Sequence, residues 1–275
     1  MNYRGFTRDE LQREYSPSAM IGGHLQPYLE AYAALSAQAR ATCEVRENLR
    51  YGTAPEHVLD LFPAPQQGAP LHVFIHGGYW QALSQRESCG MAPAILANGQ
   101  GFATLNYTLA PAARLDQMVE ECRDALIFLA RNAADLGFDP ARVTVSGHSA
   151  GAHLAAMVLS RHGSALVEAG LTVTDAILIS GVYDLEPIAE MSVNEPLQLT
   201  ADEIETLSPL RLPAPSGTRL RVTVAERDTP EFIRQSRSYA EHLRRARVDV
   251  LFDLQAGLHH YDIIMTPGSF IAGPT

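Results

Sequence analysis

Arg142-Val-Thr-Val-Ser-Gly-His-Ser-Ala-Gly-Ala-His-Leu-Ala-Ala-Met157 decides how this chain is to be read. A short β-branched run, Val143-Thr-Val145, leads into Gly147-His148-Ser149-Ala150-Gly151, and a run of helix formers follows. β-Branched residues suit a strand, and Ala, Leu and Met suit a helix. The order strand, Gly-x-Ser-x-Gly, helix is that of a nucleophile elbow, a turn so tight that the serine projects from the top of a sheet. Gly147 and Gly151 flank the serine at points where a Cβ would strike the adjoining strand or helix. The five-residue pattern alone recurs by chance, so the strand before it and the helix after it carry the weight.

The pattern of strands alternating with helices continues on both sides of this stretch. Residues 8–40 read as helical, with Leu11, Leu25, Leu29 and Leu35 among Ala and Glu, and a break near Ser16-Pro17. Strands follow around Cys43–Tyr51 and His57–Phe62, joined by a short link that implies an antiparallel start. Leu71–Ile75 and Phe102–Tyr107 are buried-strand candidates, with a helix expected over Ser84–Ala97 between them. Leu115–Leu136 places Met118, Val119, Cys122, Ala125, Leu126 and Leu129 at helical spacing. After the elbow come strand Asp175–Ser180, strand Arg219–Ala225, helix Pro230–Arg245 and strand Val248–Leu254. Such alternation implies an α/β fold, one domain over residues 1–275 with a mostly parallel central sheet and helices on both faces. The irregular, proline-rich stretch 182–216 reads as a small cap inserted over the carboxyl edge of the sheet, where open α/β sheets bind ligands.

The bulk properties narrow the partners. The chain has 275 residues, 46% apolar and 19% charged, with a net charge of −10. That charge argues against nucleic acid as a partner. The basic cluster Arg244-Arg245-Ala-Arg247 falls at a helix end, where it offsets the dipole. No apolar run approaches the ~18 residues that a membrane span needs, and the first ten residues lack the apolar core of a signal peptide. Cys43, Cys89 and Cys122 are odd in number, form no CxxC pair and read as reduced packing residues of a cytoplasmic protein. Nothing implies a membrane partner, and the sequence leaves monomer or homodimer open.

The candidate chemistry lies at the ends of the strands. His76-Gly77-Gly78-Tyr79-Trp80 follows strand Leu71–Ile75 directly. In serine hydrolases of this architecture, such a loop turns backbone amides onto the oxygen where negative charge develops. Gly77 and Gly78 are assigned to this oxyanion hole, with the amide of Ala150 as a further donor. A serine needs a base and the base needs an orienting acid, in the chain order Ser, acid, His. Strand Arg219–Ala225 runs into Glu226-Arg-Asp228, and strand Val248–Leu254 runs into His259-His260-Tyr-Asp262. Ser149, Asp228 and His260 therefore stand in the expected order, with Glu226 and Asp184 as competing acids and His259 as a competing base. The adjacent histidines lack a third ligand at metal-binding spacing, so neither a metal nor another cofactor is expected. His76, His148 and His153 read as structural hydrogen-bonders near the site.

Taken together, these segments resemble the kynurenine formamidases (arylformamidases) and their bacterial relatives within the α/β-hydrolase superfamily. The matching stretches are Glu14-Tyr-Ser-Pro-Ser18, His76-Gly-Gly-Tyr-Trp80, Gly147-His-Ser-Ala-Gly151, Gly181-Val-Tyr-Asp-Leu185, Asp228-Thr-Pro-Glu-Phe232 and His260-Tyr-Asp262. The resemblance implies the α/β-hydrolase fold, with Ser149 as nucleophile, Asp228 as acid and His260 as base. His260 is preferred because the family's aromatic-Asp pair after its histidine aligns with Tyr261-Asp262. It further implies a small-molecule acyl substrate, N-formylkynurenine, cleaved to kynurenine and formate. A general carboxylesterase acting on short-chain or aryl esters would use the same residues. A catalytically dead relative serving as a ligand-binding receptor is disfavoured by the intact set. An aryl leaving group needs an aromatic wall, for which Tyr79, Trp80, Tyr107 and Tyr183 are the candidates.

Overall fold

Thr7 begins the first helix by exchanging hydrogen bonds with Glu10, the Thr7 hydroxyl accepting from the Glu10 amide while the Glu10 carboxylate accepts from the Thr7 amide. A computed structural model of the chain describes residues 3–268. This helix, α1 (Arg8–Glu14), stops short of Pro17, and α2 (Gln26–Thr42) starts with Pro27 in its first turn. The expected break at Ser16-Pro17 is therefore present, spanned by a 3₁₀ turn over Pro17–Ile21.

Strands β1 (Arg46–Arg50) and β2 (Val58–Phe62) pair antiparallel, as their short link requires. The others are β3 (Ala69–Ile75), β4 (Gly101–Leu105), β5 (Phe138–His148), β6 (Val173–Ile179), β7 (Arg219–Ala225) and β8 (Val250–Gln255). Their order in the sheet is β1-β2-β4-β3-β5-β6-β7-β8, and every pair from β4 to β8 is parallel. The α/β-hydrolase architecture expected of the chain is the one observed.

The intervening helices are α3 (Ala92–Ala97), α4 (Leu115–Arg131), α5 (Ala133–Leu136), α6 (Ala150–Glu168) and, after β7, α10 (Pro230–Arg245). Two sequence expectations need shortening. The helix anticipated over Ser84–Ala97 is a 3₁₀ turn at Gln85–Glu87 followed by α3, because Pro93 belongs in a first turn and not in a helix interior. The helix anticipated over Leu115–Leu136 divides at Asn132, whose side-chain amide donates to the Phe128 carbonyl at 2.7 Å and ends α4.

The pleat sorts the core into two faces. Leu71, Val73 and Ile75 of β3 pack with α4 and α6, while Phe74 turns the other way to join Phe62, Phe102 and α3. Between β6 and β7, residues 180–218 form three short helices, α7 (Glu186–Ala189), α8 (Asn194–Leu197) and α9 (Ala201–Thr206), and a 3₁₀ turn. The Gln81 side chain donates to the Val193 carbonyl at 2.8 Å and Arg114 donates to the carbonyls of Leu197 and Gln198, so this insertion is tied to the loops after β3 and β4. Among the described residues no helix is long and apolar enough to cross a membrane.

Leu126 is fully buried in the face shared by α4 and α6. Leu126→Ala is expected to lower the unfolding free energy by about 2–5 kcal/mol, read from a urea titration at unchanged m-value.

Candidate active site

Strand β5 ends at His148 and α6 begins at Ala150, leaving Ser149 alone in the turn with φ 55° and ψ −119°. A positive φ on serine costs about 1–3 kcal/mol and persists only where its surroundings impose it. Here they do. The Ser149 amide donates to the Ile179 carbonyl of β6 at 2.8 Å. A Cβ on Gly151 would lie 2.1 Å from the Ile75 carbonyl oxygen and 2.5 Å from that of His76. No side chain fits between the start of α6 and the end of β3. Ala150 opens the helix, so its amide has no carbonyl one turn back to bond.

Two further loops converge on this turn. After β7 the Asp228 amide donates to the Ala225 carbonyl at 3.1 Å, which curls the loop and turns the carboxylate inward. Both oxygens of that carboxylate face one ring, with His260 Nδ1 3.1 Å from Oδ1 and 3.0 Å from Oδ2, and Oδ1 also accepts from the Thr229 amide at 3.2 Å. The shared donor is an Nδ1–H, which leaves Nε2 as the basic nitrogen. Asp228 is 3% exposed and His260 4%, so water competes little for the pair. The amides of Glu226 and Arg227 bond to the carbonyls of Gln255 and Leu258, lacing the two loops together.

The other sequence candidates are occupied elsewhere. Glu226 accepts from the Gly257 amide at the surface. Asp184 accepts from Tyr3 and Arg211. His259 accepts the Tyr261 amide on Nδ1 at 3.1 Å and meets the Tyr28 hydroxyl with Nε2 at 3.0 Å, so it clasps the turn that presents its neighbour. His148 Nε2–H donates to the His260 carbonyl at 2.8 Å and thereby ties the histidine loop to the elbow. Burial, then the neighbouring His260, holds His148 well below the usual histidine range, so it stays uncharged.

The His76-Gly77-Gly78 loop lies against the elbow so closely that a Cβ on Gly77 would sit 3.2 Å from the Ser149 Cβ. Its peptide planes are held from behind. The Tyr107 hydroxyl donates to the His76 carbonyl at 3.1 Å, and His76 Nδ1–H donates to the Gly77 carbonyl at 2.9 Å. In a trans peptide the C=O and the following N–H point in opposite directions. Anchoring those two carbonyls therefore orients the amides of Gly77 and Gly78 away from Tyr107. The Tyr107 ring stacks flat on His76 at 4.3 Å, and burial lowers His76 to about 4, which keeps the stack neutral.

Three of the four aromatic residues expected to face a leaving group do not line an open site. Trp80, Tyr107 and Tyr183 are each 0% exposed, so neither water nor a ligand touches them in this arrangement. Positive φ at both Tyr79 and Trp80 swings the indole back toward α6, where it meets His153 edge-on at 5.1 Å. Tyr107 serves the loop from behind, and Tyr183 stacks on Tyr239 at 4.3 Å. Tyr79 alone of the four keeps part of its surface exposed, and its hydroxyl donates to the Tyr15 carbonyl. Sequence reasoning placed Glu14-Tyr15 and Thr229 within motifs but gave them no task. Their partners lie more than 60 residues away along the chain, beyond any local pattern.

The sequence profile of the BD-FAE family matches residues 59–205. The kynurenine formamidase of Danio rerio is 31% identical over 275 aligned residues, covering 96% of this chain and 92% of its own length. The chain belongs to the kynurenine formamidase family. The family's Drosophila melanogaster enzyme is 33% identical over 79% of this chain and 75% of its own. Among solved structures, a Silicibacter protein described provisionally as a thioesterase superposes with a TM-score of 0.80 at 27% identity, covering 94% of each chain. Like its kynurenine formamidase relatives, the chain is a hydrolase.

The buried histidines bear on stability. Burial lowers His72, His76 and His153 to about 4 and holds His148 well below its usual range. Between pH 6.5 and 4 the unfolded chain binds protons at these rings and the folded chain does not. Stability is therefore full above about pH 6.5 and falls as pH drops, by up to roughly 1.4 kcal/mol per pH unit for each ring. The expected outcome is a Tm clearly lower at pH 5 than at pH 7, with His153→Gln flattening the slope; equal Tm at the two values would contradict the neutral assignment.

Proposed function

We propose that this chain hydrolyses N-formylkynurenine to kynurenine and formate through a Ser149 nucleophile. The reading is carried by end-to-end similarity to kynurenine formamidases in a chain whose His260 ring is bonded to Asp228. His260 Nε2 takes the proton of Ser149 Oγ as that oxygen attacks the formyl carbon. The amides of Gly77, Gly78 and Ala150 receive the charge on the carbonyl oxygen, and Asp228 stabilises the imidazolium. Collapse breaks the C–N bond, and His260 gives its proton to the departing aryl amine. Water, deprotonated by His260, then attacks the formyl-serine; the bond from carbon to Ser149 Oγ breaks, His260 returns the proton to Oγ, and formate leaves. Tyr79 is the remaining candidate for the aromatic wall. The insertion at 180–218 acts as the cap. Three free cysteines are in keeping with a cytoplasmic setting. Similarity to the esterase LipC of Mycobacterium tuberculosis, 25% identical over 80% of this chain, favours one second reading, a general esterase using the same residues.

Steady-state kinetics on N-formylkynurenine beside p-nitrophenyl acetate separate the two: kcat/KM should be at least about tenfold higher on the formamide, and the reverse order would favour the esterase. Because Trp80 is buried, Trp80→Ala should lower kcat/KM by similar factors on N-formylkynurenine and on ethyl acetate.

Ser149→Ala and His260→Ala should each reduce kcat by about 10⁴-fold or more, leaving the residual rate of an oxyanion site without its nucleophile or base. His259→Ala should lose no more than about tenfold, since it holds the turn without reaching the reacting atoms. A larger loss at His259 than at His260 would reverse the assignment of the base.

A further inference from the structure

The oxyanion loop follows β3 and the Asp228 loop follows β7, and in the sheet these strands are separated by β5 and β6. Three strand spacings of about 4.8 Å put the two strand ends roughly 14 Å apart. The sheet by itself joins these loops only through intervening turns. A second connection runs directly between them, and it is made by the C-terminus of α1.

Glu14 is the last residue of α1 and Tyr15 its C-cap, so their carbonyls are among those a helix leaves without an internal partner. The Thr229 hydroxyl, next to Asp228, donates to the Glu14 carbonyl. The Tyr79 hydroxyl, next to Gly78, donates to the Tyr15 carbonyl. Two successive carbonyls thus receive one hydroxyl from each loop. The Tyr15 side chain fixes the bracket to the acid side. Its hydroxyl donates to Glu231 at 2.9 Å and accepts from Gln235 at 2.7 Å, both on the helix that follows Asp228. Its ring lies 5.9 Å from Phe232, which in turn meets the His260 ring edge-on at 4.8 Å. Tyr15 and Thr229 are almost wholly buried, so water does not replace these bonds.

We propose that the C-terminus of α1 is a bracket that sets the spacing between the oxyanion loop and the Asp228–His260 pair, with Tyr79 and Thr229 as positioning residues. This rests on the catalytic assignment of Ser149, Asp228 and His260 made above. Removing either hydroxyl leaves substrate-binding surface in place and lets one loop drift against the other. A displacement well under 1 Å at such a site lowers turnover more than affinity.

The test is a double-mutant cycle. Tyr79→Phe keeps the ring and deletes only the hydroxyl; Thr229→Val removes the other donor, and Thr229→Ser restores it while keeping the helix cap. Each single deletion is expected to reduce kcat about 5–20-fold on both N-formylkynurenine and p-nitrophenyl acetate, with KM within about twofold. The double variant should fall no more than about twofold below the worse single, because a bracket broken at one end has little left to lose at the other. Thr229→Ser should recover most of the rate, and the Tm of Tyr79→Phe should stay within about 3 °C of the parent. The proposal is overturned if Tyr79→Phe turns over at the parental kcat, if its loss lies in KM alone, or if the two losses multiply. Should Ser149→Ala in parallel retain the parental rate, the catalytic assignment falls and the bracket with it; multiplying losses beside an inactive Ser149→Ala remove the bracket alone.

Discussion

The approach of α6 to the end of β3 is the constraint on which the rest of the site depends. A Cβ at Gly151 would enter the van der Waals radius of two backbone oxygens, those of Ile75 and His76. Backbone has nowhere to retreat in the middle of a sheet, so the contact admits glycine only. With the helix seated there, Ser149 is forced into its positive-φ turn, and the loop after β3 is pressed against it. Ser149 and the Gly77-Gly78 loop come from different parts of the chain, yet one backbone contact sets their distance.

Around that contact the protein places neutral hydrogen-bonding struts rather than charges. His76, His148 and His153 are buried and uncharged, and each points a ring nitrogen at a backbone carbonyl. Tyr107 and Tyr79 do the same with hydroxyls. A buried charge would need its own partner. A neutral imidazole or phenol orients a peptide plane without that penalty. The buried ionisable pair beside the elbow is Asp228 with His260, and in the proposed reaction the charge that develops during turnover falls there.

The segment before the sheet belongs to the same economy of contacts. Tyr28 and Tyr32 of α2 hold the histidine loop, through His259 and the Tyr261 carbonyl, while α1 touches the other two loops. Residues 14–32 thus reach all three loops that the strands of the sheet deliver separately. The resemblance of Glu14-Tyr-Ser-Pro-Ser18 to its family counterpart acquires a physical reason in those contacts.

Features that depend on local rules could be read along the chain. The elbow was legible because its glycines answer to contacts within a few residues and because β-branched and helix-forming runs flank it. Strand β7 and helix α10 match their expected limits, and the acid and base were both sought just past strand ends. Tertiary structure alone decided what depends on direction across space. Asp228 rather than Glu226 faces a histidine 32 residues on, and His260 rather than His259 faces it back, because the turn around Asp262 rotates the two rings apart. Trp80 was expected at a ligand wall and lies in the core, since two successive positive-φ residues reverse the chain where side-chain chemistry gives no warning. The bracket at Glu14 and Tyr15 was invisible for a related reason: its acceptors are backbone carbonyls, which every residue carries, and only the fold says which ones a helix end leaves free.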